Sequence, residues 1–207
     1  IHFIFFVDSN VGFFGGGGGY IYKTTDGGQN WSSITRVANI NILSAYFINS
    51  TTGFVGTSNG TIYKTIDGGS NWTQINTGFT FKSDNEISLH GVGNNVFAVV
   101  RKDGQISKYS ESSNSFSLIK STGSMLNDIS CINPDNCMIV GYDGVVYSTS
   151  DGGVNWNSMP SGTSETLFSV YMTDVNTAYA VGLNGVILKF SDTTMPNFTS
   201  VSSTVVN

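Results

Sequence analysis

GYIYKTTDGGQNW at residues 19–31 returns as GTIYKTIDGGSNW at 60–72 and as GVVYSTSDGGVNW at 144–156. In each copy a short run rich in aromatic and β-branched residues meets an acidic turn, two glycines and an indole. Such a run suits a strand, and Asp-Gly-Gly suits a turn passing through positive φ. The carboxylates are Asp26, Asp67 and Asp151, and the indoles are Trp31, Trp72 and Trp156. A carboxylate so placed accepts hydrogen bonds from N–H groups of its own turn. The indole buries a large apolar area beside it. The expected role of these six residues is structural, joining a third strand to a fourth.

Two looser copies fill the gaps. GQISKYSESSNSF at 104–116 sets Glu111 and Phe116 at the matching positions, and GVILKFSDTTMPNF at 185–198 sets Asp192 and Phe198 there. Anchored at residues 31, 72, 116, 156 and 198, the units are spaced by 41, 44, 40 and 42 residues. Each is preceded by another strand-like run ending in a glycine turn, as in GFVGTSNG, CMIVGYDG and AYAVGLNG. Four strands per unit at a period near 41 residues is the pattern of a propeller blade. The expectation is therefore an all-β chain, a β-propeller of about five four-stranded blades. It occupies residues 1–199, with 200–207 a tail or linker. The segment 199–206 reads either as an added strand or as a linker. Closure at five blades is expected, with part of a larger ring as the alternative.

The motif S/T-x-D-x-G-x-T/N-W and its fuller form VG..G.IY.T.DGG..W resemble the Asp-box, or BNR, repeat. They are similar to the photosystem II assembly and stability factor-like propellers and their bacterial relatives. The resemblance covers all five units and is specific in three. It implies a propeller fold and scaffold or chaperone roles without catalysis.

Composition narrows the function. The 207 residues carry nine Lys plus Arg against fourteen Asp plus Glu, a net charge of −5. No basic run is present to displace counterions from a phosphate backbone, so no nucleic acid is expected as a partner. No apolar stretch reaches the roughly 18 residues of a membrane helix, so the chain is not expected to span a membrane. It begins at Ile1 rather than Met and reads as a processed or excised portion of a longer precursor. The glycine run 15–19 lacks the Lys-Ser/Thr ending of a phosphate loop and reads as a turn.

Enzymatic candidates fare poorly. Sialidases also carry Asp-boxes, but they grip a carboxylate with three arginines, and this sequence has only Arg36 and Arg101. Another glycosidase needs two opposed carboxylates. Asp128, Asp174 and Glu165 remain outside the Asp-boxes and the Asp-Gly turns, but their spacing singles out no pair. His2 and His90 fall in different repeats, so no zinc cluster is visible. No catalytic residue, metal or cofactor is expected.

Cys131 and Cys137 flank a Pro-Asp-Asn turn, which sets them on facing strands of one hairpin within reach of a disulfide. A disulfide implies an oxidising compartment, hence a secreted, periplasmic or cell-surface location. Aligning the innermost strands exposes two parities. Ile4 and Phe6, Ala45 and Phe47, Leu89 and Gly91, Ile129 and Cys131, Val170 and Met172 form an apolar set expected between blades. The other parity is mixed and polar and leans toward the central channel. In it Tyr46, His90, Asp128 and Tyr171 are the expected ligand-facing groups. The functional expectation is a non-enzymatic protein-interaction or assembly scaffold with a protein partner. A carbohydrate-binding propeller with a glycan ligand is the alternative, and a glycoside hydrolase comes third.

Overall fold

The computed structural model describes residues 1–79, 86–191 and the strand at 201–205. It is a β-propeller of five sheets, each of four antiparallel strands in sequence order. The first blade is β1 (Phe3–Phe6), β2 (Gly12–Gly15), β3 (Tyr20–Thr24) and β4 (Ser32–Arg36). The second is β5 (Ile42–Phe47), β6 (Gly53–Thr57), β7 (Ile62–Thr65) and β8 (Thr73–Ile75). The third is β9 (Ile87–Val92), β10 (Asn95–Val100), β11 (Gln105–Ser110) and β12 (Ser115–Ser121). The fourth is β13 (Leu126–Cys131), β14 (Cys137–Gly141), β15 (Val146–Thr149) and β16 (Asn157–Met159). The fifth is β17 (Leu167–Asp174), β18 (Thr177–Gly182), β19 (Val186–Ser191) and β20 (Val201–Val205).

The tail expected at 200–207 is corrected over Val201–Val205, which pairs along β19 as the outer strand of the fifth sheet. Val, Ser and Thr supply the β-forming residues, and the free edge of β19 supplies the template. The Asp192 and Phe198 of the fifth copy lie outside the described residues.

Apolar clusters lie between blades rather than inside any one of them. One joins Phe54, Ile62, Leu89, Val96 and Phe116, from the second and third blades. Another joins Met138, Val146, Val170, Leu188 and Phe190, from the fourth and fifth. A four-stranded sheet has two faces and no core of its own, so each blade is stabilised by its neighbours. The inner strands pack in the order β1, β5, β9, β13, β17, and no packing of comparable extent joins β17 back to β1.

Candidate functional site

The acidic turns join the third strand of a blade to the fourth. Thr24 Oγ1 donates to Asp26 Oδ1 at 2.7 Å and accepts from Gly28 N at 2.9 Å. Asp26 Oδ1 also accepts from Asn30 N at 2.9 Å, and Oδ2 from Asn30 Nδ2 at 2.8 Å. Trp31 Nε1 closes the turn on Gly28 O at 3.1 Å. Asp67 receives the same bonds from Thr65 and Asn71, and Asp151 from Thr149 and Asn155. Gly27, at φ 72°, turns its N–H onto Asn10 O of the first hairpin of the blade. These donors hold all three carboxylates below the ordinary carboxylate range, the backbone N–H of Asn30, Asn71 or Asn155 contributing most, and Asp26 reaches about 2.

The third blade departs from this pattern. Glu111 stands where Asp would, and the neighbouring Asn114 adopts φ 46°. Its Oδ1 accepts from Tyr109 OH at 2.9 Å and from Lys64 Nζ of the second blade at 2.7 Å. Phe116 is buried against Phe54 and Tyr109.

The inner strands hold the polar residues expected to meet a ligand. Tyr46 OH donates to Gly93 O at 3.1 Å, from the second blade to the third. His90 Nδ1 accepts from Cys131 N at 3.1 Å, between the third and fourth. Asp128 accepts from Ser88 Oγ at 3.2 Å on one side, and from Ser169 Oγ at 2.7 Å and Val170 N at 3.0 Å on the other. Tyr171 is exposed. Tyr46 lies beside His90, with ring centroids 6.3 Å apart, and Tyr46, His90 and Asp128 each bond a neighbouring blade. These contacts have a physical reason. An inner strand is the free edge of its sheet, so half of its N–H and C=O groups lack a ladder partner. Polar side chains of the neighbouring blade supply those partners.

Other residues of the same polar parity, and two lysines, complete the pattern. Ser44 Oγ donates to Ile87 O at 2.7 Å and accepts from Leu89 N at 3.1 Å. Ser130 Oγ accepts from Met172 N at 3.1 Å. The lysine four residues after the repeat glycine reaches the next blade from Lys64, as noted, and from Lys108, whose Nζ donates to Gly152 O at 2.8 Å. Cys131 and Cys137 are register partners closing the β13–β14 hairpin as a disulfide.

One mouth of the propeller, where the inner strands begin, carries a pocket of about 220 Å³. It is lined by Leu43, Ser44, Glu86, Arg101, Asn127 and Phe168, among others. The Arg101 guanidinium is ion-paired with Glu86 and donates to Asn127 Oδ1 at 3.0 Å. Asn127 Nδ2 in turn donates to Leu167 O at 2.7 Å. The hydrogen bond to Glu86 raises the affinity of Arg101 for its proton. Met125, Phe168 and Leu183 stand exposed at the same end of the blades. Arg101 was legible only as one of two arginines, because its partners come from other strands.

A family model, Sortilin-Vps10, described as sortilin, neurotensin receptor 3, matches residues 19–181. No curated protein matches the sequence. Among solved structures, YCF48 bound to D1 peptide is 20% identical with a TM-score of 0.74, over 97% of this chain and 67% of that one. YCF48 from Cyanidioschyzon merolae is 16% identical with a TM-score of 0.71, over 94% and 69%. The GH74 enzyme of Niastella koreensis is 18% identical with a TM-score of 0.75, over 95% of this chain and 36% of that one. Likeness at these identities is likeness of fold.

Proposed function

Because this chain belongs to the Sortilin-Vps10 family, we propose that it is a protein-binding propeller rather than an enzyme, acting in an oxidising compartment. Its partner docks over the Arg101 mouth. The observation that carries this reading is the combination at that mouth. Arg101 and Asn127 are held in place, while Met125 and Phe168 are left exposed beside them. Fixed polar groups lose little freedom on binding, and apolar groups beside them gain from burial. At about 220 Å³ the pocket falls below the roughly 300–1,000 Å³ of small-ligand sites. It is the size for one side chain of a partner.

Glu86 and Asp128, at the inner strands, are already engaged. Glu86 is paired with Arg101, and Asp128 accepts from Ser88, Ser169 and Val170. A glycosidase needs one carboxyl group as acid and a second as base or nucleophile. The Cys131–Cys137 disulfide supports a secreted, periplasmic or surface location. One solved propeller of like fold is described as bound to a peptide, which favours peptide ligands as the first probes.

The test is a peptide array probed with the 207-residue chain, beside a glycan array with a hydrolysis assay. A binder is expected, weakened about tenfold or more by Phe168→Ala with Met125→Ala. It is expected to be unchanged by Ile66→Ser, on an exposed rim position. Turnover of any glycan, or binding indifferent to the mouth variants, contradicts the proposal.

A further inference from the structure

The repeat allows each blade to be compared with its sisters, and two departures from it fall on either side of one cleft. The residue before the turn carboxylate is Thr25, Ser110, Ser150 or Ser191 in four units and Ile66 in the second. Ile66 is 72% exposed, where every other unit sets a hydroxyl.

The third unit departs further. Tyr109 stands where the other described turns have Thr24, Thr65 and Thr149, and Ser112-Ser113 stands where they have two glycines. In those turns the threonine hydroxyl and an asparagine both bond the carboxylate. The Tyr109 hydroxyl donates instead to Asn114 Oδ1. The Glu111 carboxylate has no hydrogen bond or ion pair among the described residues.

Both departures line the same space. A cleft of about 530 Å³ lies between the second and third blades, walled by Ile66, Asp67 and Ile75 on one side and by Glu111 and Asn114 on the other. That volume lies within the roughly 300–1,000 Å³ of ligand sites. The lysine of the cleft is already committed. Lys64 Nζ donates to Tyr109 OH and to Asn114 Oδ1, both at 2.7 Å, and lies over the Tyr109 ring. Lys23 and Lys108, at the same position in their blades, donate instead to Ser50 O and Gly152 O of the next blade. Two carboxylates against one amine leave the cleft negative, in a chain of net charge −5. The lining is therefore an exposed aliphatic side chain beside an unengaged carboxylate. An aliphatic stem with a cationic head complements it.

We propose that this cleft is a second protein-docking site, which takes an arginine side chain from a basic segment of a partner. The guanidinium pairs with Glu111 in the field of Asp67, and its methylene stem covers Ile66. The site is distinct from the Arg101 mouth and lies at the other end of the strands. Thr65, at the end of β7, is in register through Gly53 with Phe47 at the end of β5, whereas the mouth is where β5 begins. A glycan fits less well, since no aromatic ring among the described residues lines the cleft to stack on a sugar.

The test titrates the isotope-labelled 207-residue chain with a capped Gly-Arg-Ser-Gly peptide at low salt, followed by amide chemical shifts. A control peptide carries citrulline, which has the shape of arginine without its charge. Shifts are expected at Ile66, Asn71, Glu111 and Asn114, with a dissociation constant of about 1 mM, the strength of a few ordinary contacts. Affinity is expected to fall about tenfold with citrulline and about fivefold with Glu111→Gln. It is expected to fall about threefold with Ile66→Ser, which restores the hydroxyl of the sister turns. Added salt should weaken it as well. Both substitutions are at exposed positions, so the folded spectrum is expected to persist. Shifts of equal size at the remote Asp103 and Asp143 would show diffuse attraction to an acidic chain and overturn the proposal. So would equal affinity for citrulline, indifference to both substitutions, or no shift at ten times the expected constant. Shifts at the cleft from glucose or galactose but not from the peptide would assign it to a glycan and overturn the proposal too. Binding this weak does not hold a peptide on an array, and Phe168→Ala with Met125→Ala is expected to leave it unchanged. The outcome is therefore separate from that at the Arg101 mouth.

Discussion

His90 Nδ1 accepts the backbone N–H of Cys131 at 3.1 Å, so an imidazole on the third inner strand ties down the edge of the fourth. The bond requires Nδ1 to be unprotonated. Burial pushes the imidazole below its ordinary 6.5, against a weaker pull upward from Asp128.

The pH dependence follows from that direction. The folded state holds its proton less tightly than the unfolded state. The contribution is present above pH 6.5 and is lost as pH falls from 6.5 through the lower folded value. Thermal unfolding measured between pH 7.5 and 5 should show Tm falling toward acid. His90→Gln, which keeps an acceptor but does not titrate, should show a flatter profile over that interval. Equal slopes for the two proteins would contradict the assignment.

The acidic turns act in a lower window. Asp26, Asp67 and Asp151 bind protons less readily in the fold than in the unfolded chain, chiefly because turn N–H groups bond them. Their contribution is present above about pH 4 and is lost as pH falls, for Asp26 through about 2. Acid unfolding followed by tryptophan fluorescence should therefore steepen below about pH 4. Asp26→Asn should remove part of that steepness while lowering stability at pH 7, since Asn keeps one acceptor oxygen and loses the charge.

The disulfide closes a short loop at the β13–β14 turn. Chain entropy gives such a loop about 2 kcal/mol. Cys131→Ser with Cys137→Ser should lower Tm by roughly 5 °C, read by calorimetry. The fold should survive, because β13 and β14 remain paired along their length. Loss of all cooperative unfolding would show that the bridge does more than shorten the unfolded chain's freedom.

What the sequence disclosed depended on how local the interaction was. Asp26 and the N–H groups it accepts lie within one turn, so its role was legible from spacing, whereas the parts played by Thr24 and Asn30 needed the structure. The third blade shows the limit of that reading. Glu111 and Phe116 keep the spacing, but Asn114 organises the turn. The inner strands show a different limit. Alternation separated the polar residues from the apolar ones, but it does not say whether a polar side chain faces a channel or the next blade. That choice depends on how closely the blades pack, and here Tyr46, His90 and Asp128 all reach the neighbouring backbone. Arg101 was harder still, since Glu86, Asn127 and Tyr142 come from three other segments.

Polar inner-strand side chains hold one blade to the next. Ser130→Ala tests it most directly. Ser130 and Met172 are both buried, the Met172 N–H donates to Ser130 Oγ at 3.1 Å, and the substitution removes one oxygen. Leaving that buried N–H without an acceptor should cost about 1–3 kcal/mol in urea unfolding at pH 7, with the slope unchanged. A midpoint identical to the parent protein's would contradict the account.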